Sequence, residues 1–193
     1  MRLDILDHGY RPGTKILFTI IRVFSGHPLP DAAKLVFYRP DFYGAAAKKF
    51  THAAMRGPSD WSVGDRELMA AVVSQVNDCA FCVGAHTATA GQAYGDEAKV
   101  RAVLADVDSA PIEGGLRATL RMLGTLTRTG TVGAEDMREV LSAGVTPQQV
   151  KDALAVCAAF DITNHLADAF DFALPSPAGF KVGAKFLLKR GYR

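Results

Sequence analysis

Apolar residues recur along most of this chain at the three- and four-residue spacings of amphipathic helices. Leu68, Met69, Val72 and Val73 form one such stripe, and leucines form another between residues 116 and 126. Residues at these spacings share one face of a helix, so each stripe predicts a helix packed against a core. Because strands and helices do not alternate along the chain, the pattern predicts an all-α fold.

Helix starts can be predicted from capping signals. Ser62 followed by Asp65 resembles a capping box, and Thr146 followed by Pro147 and Gln149 combines a cap, a first-turn proline and a capping-box glutamine. The second signal predicts a helix from residue 146 through Phe170. Further helices are predicted from Pro30–Asp31 to Arg39–Pro40, from an Asp41 cap to Gly57–Pro58, and over 98–104, 133–143 and 181–193.

The N-terminal segment contains a strongly apolar run at residues 15–24, interrupted by Arg22. The run is too short to span a bilayer, and Asp4 and Asp7 precede it, so neither a membrane helix nor a signal peptide fits well. We expect a helix buried in the core or against another subunit. Attachment to a membrane surface is the less favoured alternative.

Length and composition fit one packed domain. The chain has 193 residues, of which 49% are hydrophobic, and a net charge of +2. This charge gives no reason to expect nucleic acid as a partner. We predict a single all-helical domain with an N-terminal extension over about 1–38, a core over about 39–175 and a basic C-terminal helix over about 176–193. The basic helix could dock on a neighbouring subunit.

The stretch from Asn77 to His86 concentrates the candidate chemistry, because it holds two of the three cysteines and one of five histidines. Asn77 and Asp78 are typical helix caps, which would place Cys79 in the first turn of a helix. Cys79, Cys82 and His86 would then lie at i, i+3 and i+7 on one face. This spacing predicts a thiol site with a histidine beside it.

Cys82 is the better candidate nucleophile of the pair. An ordinary thiol has a pKa of about 8.5, and a helix N-terminus or a neighbouring imidazolium lowers it. Cys82 would experience both effects, so we expect its pKa to be the lower one. Cys79 is then placed to attack an oxidised Cys82 and form a disulfide.

Other uses of two cysteines fit less well. A closed zinc site needs four ligands, and only His86 lies nearby in sequence. Attachment of c-type haem would need a histidine where Val83 stands, and a thioredoxin-like site would need a βαβ context. We predict no metal and no cofactor, and we expect Cys157 to be a small buried apolar residue. Cysteines used in this way are typical of a reducing compartment, so we expect a cytoplasmic protein.

The segment from Glu67 to His86, a glutamate followed by eleven residues and CxxCxxxH, resembles the core signature of the alkylhydroperoxidase D and carboxymuconolactone decarboxylase superfamily. The stretch from Val145 to Phe170, including Asn164 and Asp168, resembles later helices of the peroxidase-related branch. The resemblance extends over most of the chain from about Arg39 onward. It implies an AhpD-like helical bundle, a homo-oligomer such as a trimer or hexamer, and thiol-dependent reduction of a small hydroperoxide.

The resemblance also implies roles for four residues. Cys82 would be the peroxidatic cysteine, Cys79 its proton donor and resolving partner, and Glu67 with His86 a proton relay. An external dithiol of unknown identity would restore the thiols. One position departs from the characterised hydroperoxidase, where a histidine precedes the second cysteine: here that residue is Phe81. Phe81 could raise the pKa of Cys82 by excluding water, or it could shape a pocket for an apolar peroxide.

Three alternatives remain open from the sequence. The decarboxylase branch of the superfamily acts on a lactone without needing a CxxC pair. A metal-binding protein would carry stoichiometric metal. A non-catalytic helical oligomer would keep both thiols buried and unreactive.

Overall fold

The computed structural model describes residue 6 and residues 8–38, 40 and 44–192 of the chain. These residues form ten helices and no strand, so the predicted all-α class is confirmed. The helices are α1 (Pro12–Ser25), α2 (Asp31–Tyr38), α3 (Ala45–Arg56), α4 (Val63–Val76), α5 (Ala80–Tyr94), α6 (Glu97–Ala105), α7 (Gly114–Thr129), α8 (Ala134–Ser142), α9 (Pro147–Ala169) and α10 (Pro177–Arg190).

Helix α4 lies at the centre of the fold. Ten of its fourteen residues are buried, and it packs against α5, α7 and α9. The predicted capping box starts it: Ser62 accepts from the Asp65 N–H, and the Asp65 carboxylate accepts from the Ser62 N–H. The capping box predicted at Thr146 and Gln149 likewise starts α9. These two starts are confirmed, whereas the predicted Asp41 cap and the Arg39 stop lie outside the described residues.

The turn between α4 and α5 differs from the prediction. Asn77 ends α4, Asp78 has a φ of 56°, and Cys79 is itself the N-cap of α5. The Cys79 N–H donates to the Ser74 carbonyl at 3.0 Å, which closes α4 in the manner of a Schellman motif. The prediction that Asn77 and Asp78 cap the second helix was therefore wrong, because both residues serve the end of the first one.

Helix α10 starts at Pro177 and packs along α5 of the same chain. Its Phe180 ring lies against Gly84, where a Cβ would come within 2.6 Å of the Phe180 Cζ. The absence of a side chain at Gly84 therefore allows the two helices to approach closely. The C-terminal helix contacts the helix that carries the cysteines, while its docking on a neighbouring subunit stays a prediction.

The N-terminal helices have different environments. No residue of α1 is buried, and Val23 and Phe24 are 74% and 88% exposed, so the expectation that α1 lies in the core was wrong. Burial against another subunit stays a prediction for α1. Helix α2 buries Leu35 in a small apolar cluster together with Leu6 and both cysteines of the CxxC motif. Within the described part of the chain, no helix is long and apolar enough to cross a membrane.

We expect Gly84→Ala to destabilise the protein by about 1–3 kcal/mol, because the new methyl group would overpack the contact with Phe180. Gly183→Ala is the matched control on α10, since a Cβ there meets nothing within 4 Å. The control should gain up to about 1 kcal/mol in helix propensity. Urea denaturation of both variants measures these changes, and equal effects would contradict close packing at Gly84.

Candidate functional site

Glu67 is a fully buried carboxylate at the middle of the candidate site. Three side chains contact it: Arg56 Nη2 lies 2.6 Å from Oε1, His86 Nδ1 lies 2.7 Å from Oε2, and the Tyr192 hydroxyl donates across both oxygens at 3.0 and 3.1 Å. The donors come from α3, α5 and the residues after α10. The carboxylate therefore connects three separate parts of the chain.

These contacts keep Glu67 ionised. Burial alone would raise the pKa of this carboxyl group, but the hydrogen bond and charge of His86 and those of Arg56 together lower it below the ordinary value of 4.5. A buried charge is tolerated only where partners of this kind replace water. Glu67 is therefore an ionised carboxylate, which only accepts hydrogen bonds from its three partners.

The state of Glu67 determines the orientation of His86. An ionised carboxylate cannot donate, so the proton in the bond of 2.7 Å belongs to Nδ1 of His86. The imidazole also packs edge-on against Phe160, with ring centroids 4.2 Å apart. Nε2 is then the nitrogen that can take up or release a proton. His86 lies one helical turn after Cys82 on α5, so both project from the same face.

Cys79 and Cys82 are free thiols, 0% and 1% exposed. Interaction with the Cys82 side chain and, more weakly, with the Cys82 backbone N–H lowers the pKa of Cys79 despite its burial, whereas interaction with the Cys79 side chain and burial raise the pKa of Cys82. The expected order was therefore wrong for the resting pair. The physical reason is that Cys79 lies at the N-cap position, where its sulfur is close to the Cys82 side chain and backbone N–H in the first turn of α5.

Asp168 on α9 also acts on the thiol pair. Its carboxylate opposes the ionisation of both cysteines, which favours a state with at least one proton on the pair. Asp168 was part of the family resemblance but had no role assigned from the sequence. No local signal would have given it one, because it lies 86 residues after Cys82 in a helix that packs beside the pair.

Phe81 forms an apolar wall beside the cysteines. Its ring lies 5.3 Å from that of Phe172 and 6.2 Å from that of Phe180, measured between centroids. Phe81 and Phe172 form one buried apolar cluster with Leu6, Leu35 and the two cysteines, which separates the thiols from solvent. This environment is consistent with both effects considered for Phe81. It excludes water, which raises the pKa of Cys82, and it is apolar, as a pocket for an apolar peroxide would be.

The structure joins the four predicted site residues in two pairs, Glu67 with His86 and Cys79 with Cys82. Arg56 and Tyr192 were missed, since neither lies near the CxxC motif in sequence. Cys157 is buried as expected, and burial raises its pKa to about 11. In the described ranges, no three His, Cys, Asp or Glu side chains are grouped to hold a metal ion.

The chain is similar to known proteins in sequence and in fold. Residues 41–111 match the model of the carboxymuconolactone decarboxylase family. An uncharacterised peroxidase-related protein from Silicibacter sp. TM1040 has the same fold, with a TM-score of 0.78 and 24% identity over 93% of this chain and 94% of its own. No curated protein matches the chain significantly.

Two further solved structures share the fold. The alkylhydroperoxidase AhpD core of an uncharacterised peroxidase-related protein from Ralstonia eutropha JMP134 has a TM-score of 0.74 and 21% identity, covering 91% of each chain. The debrominase Bmp8 has a TM-score of 0.66 and 14% identity, covering 90% of this chain and 91% of its own. At these identities the structural similarity defines the fold and not the reaction.

We expect Glu67→Gln to cost about 3–5 kcal/mol of stability at neutral pH, because Arg56 would lose the charge that it pairs with. The folded-state pKa of Glu67 is depressed, so its contribution is complete above the unfolded value of 4.5 and is lost as pH falls through the folded value. The stability gap between wild type and variant should therefore narrow as pH falls below about 5.

Urea denaturation at several pH values tests this expectation. Glu97→Gln is the control, since Glu97 forms an exposed pair with Arg101 and its loss should change stability little. A gap for Glu67→Gln that stays constant at acid pH would contradict the ionised, hydrogen-bonded state of Glu67.

Proposed function

We propose that this chain belongs to the alkylhydroperoxidase D and carboxymuconolactone decarboxylase superfamily and is a thiol-dependent hydroperoxide reductase. The family-model match over residues 41–111 and the shared fold support the assignment to the superfamily. The observation that carries the proposal is the Glu67–His86 hydrogen bond, one helical turn from a pair of interacting buried thiols. Such an arrangement can move a proton beside a nucleophilic sulfur.

In the first step, the Cys82 thiolate attacks the distal oxygen of the hydroperoxide. In the state that attacks, the proton of the pair lies on Cys79 and the charge on Cys82, although the lowered pKa of Cys79 and the raised pKa of Cys82 favour the opposite arrangement. A sulfur–oxygen bond forms, the oxygen–oxygen bond breaks, and the alkoxide leaves with its electron pair. Protonated His86 or the Cys79 thiol gives it a proton, and the product is an alcohol.

The second step forms a disulfide. The sulfur of Cys79 attacks the Cys82 sulfenic acid, the sulfur–sulfur bond replaces the sulfur–oxygen bond, and the oxygen leaves as water. An external dithiol then reduces the disulfide by thiol–disulfide exchange and is itself oxidised. A reducing cytoplasm would supply such a dithiol, which is why we propose that compartment.

The surroundings of the thiols support an apolar peroxide as substrate. Phe81 and Phe172 would contact the organic group of the peroxide once Leu6 and Leu35 move aside. Small movements of this kind are expected of side chains that cover a binding site, because such regions open locally more easily than the core. A bulky polar peroxide would gain little from such a wall and would lose its hydration.

We further propose a homo-oligomer, a trimer or hexamer. The support is the exposed apolar face of α1, where Ile16, Val23 and Phe24 are 61%, 74% and 88% exposed. Apolar surface of this kind commonly marks a protein interface.

A second candidate function has its own observation. A non-catalytic helical protein would keep both thiols buried, and Cys79 and Cys82 are 0% and 1% exposed. The name of the matched family likewise keeps lactone chemistry as an alternative. Neither alternative requires the thiols to react with peroxide, so the reaction with peroxide separates them from the proposal.

We expect brief treatment of the reduced protein with an organic hydroperoxide to join Cys79 and Cys82 in a disulfide. Cys79→Ser should stop at a sulfenic acid on Cys82, because the resolving thiol is absent. Cys157→Ser should behave as wild type, since the Cys157 thiol is buried with a pKa of about 11. Intact-mass and peptide mapping identify each product.

Two results would change the account. A sulfenic acid trapped at Cys79 in Cys82→Ser, and none at Cys82 in Cys79→Ser, would exchange the roles of the cysteines and retain the function. Survival of both thiols in excess peroxide would reject the hydroperoxide reductase and leave the lactone or non-catalytic alternative.

A further inference from the structure

The last residues of the described chain enter the site. Helix α10 ends at Arg190, and Gly191 follows with a φ of 67° and a ψ of −155°. A Cβ on Gly191 would come within 2.7 Å of the His52 ring. Only glycine combines this conformation with so little space. The chain thereby turns inward and delivers Tyr192 to the buried Glu67.

Tyr192 makes three contacts within the site. Its hydroxyl donates to Oε1 and Oε2 of Glu67 at 3.0 and 3.1 Å, its ring lies under the Arg56 guanidinium at 5.1 Å, and its centroid is 6.4 Å from that of Phe160. Phe160 in turn packs against His86. Tyr192 therefore contacts the carboxylate, its cation and the aromatic neighbour of the imidazole.

The Tyr192 hydroxyl acts as a donor only. Burial, followed by the charge of Glu67, raises its pKa well above the ordinary value, so the phenol stays neutral. A neutral phenol that bridges both oxygens restricts rotation of the carboxylate. It also withdraws part of the negative charge that would otherwise face His86.

We propose that Tyr192 is a positioning residue of this site, which holds the Glu67 carboxylate in the orientation that His86 requires. The C-terminal residues after α10 would thus complete the site from within the same chain. The effect on peroxide turnover rests on the proposed function, whereas the effect on His86 does not. Tyr192 acts through Glu67 and contacts no reacting atom in this account.

Removal of the hydroxyl gives the test. Tyr192→Phe keeps the ring over Arg56 but leaves more negative charge on the carboxylate beside His86. The imidazole should then retain its proton to higher pH, and because protonated His86 acts as the acid, the falling limb of the pH–rate profile for disulfide closure should move up by about one unit. This shift is about a tenfold gain of rate on that limb.

Two measurements on the full chain check the proposal. One is the NMR titration of the His86 ring protons, and the other is the pH dependence of disulfide closure by an organic hydroperoxide. Tyr94→Phe is the matched control, because it removes a tyrosine–carboxylate bond of 2.6 Å to Asp65 outside this network. The control should lose stability without shifting either profile.

A second variant tests the position of the whole Tyr192 ring. Gly191→Ala should displace Tyr192 and give the same shift, while Gly130→Ala, with a φ of 76° but open space around a Cβ, should not. A His86 titration in Tyr192→Phe and Gly191→Ala identical to wild type would overturn the proposal. A shifted titration in a protein that never reacts with peroxide would reject the proposed function and retain the role of Tyr192.

Discussion

The burial of one negative charge is the constraint on which this site depends. Glu67 lies on the most buried helix of the fold, where an ionised carboxylate without partners would be strongly destabilising. Arg56, His86 and Tyr192 supply the hydrogen bonds that water would otherwise provide. Because these residues come from α3, α5 and the end of the chain, the charge can be stable only when all three parts are in place.

The same charge links packing to chemistry. It fixes the proton on Nδ1 of His86 and leaves Nε2 for proton transfer on the face that Cys82 shares. The adjacent turn, where Cys79 is the N-cap residue of α5, places the sulfur of Cys79 close to the side chain and backbone N–H of Cys82. This short segment thus contains the end of a buried helix, the two cysteines and, one turn later, the histidine of the proposed proton relay.

Local signals in the sequence were sufficient for the all-α class and for several helix starts, but not for the whole site. Capping residues such as Ser62 and Thr146 act within four residues of themselves, so they could be recognised directly. The Glu67–His86 pairing could be anticipated only through the family resemblance, because the two residues lie on different helices. Arg56 and Tyr192 contact Glu67 only because of tertiary packing, and no local sequence pattern predicts these two contacts.

The order of thiol ionisation illustrates the same limit. From the sequence, Asn77 and Asp78 looked like caps, and Cys82 looked like the more acidic thiol. Both inferences depended on where one helix ends and the next begins, a boundary that shifted by a single residue position. Since Cys79 became the cap, the helix start favours its sulfur instead.

The most direct test of the account is a nitrogen-15 NMR measurement of the His86 tautomer in the reduced wild-type protein. The account predicts that the neutral imidazole carries its proton on Nδ1, because an ionised Glu67 accepts from Nδ1. A neutral imidazole protonated at Nε2 with a bare Nδ1 would contradict it. That result would mean that Glu67 is protonated in the folded protein and that the proposed relay is absent.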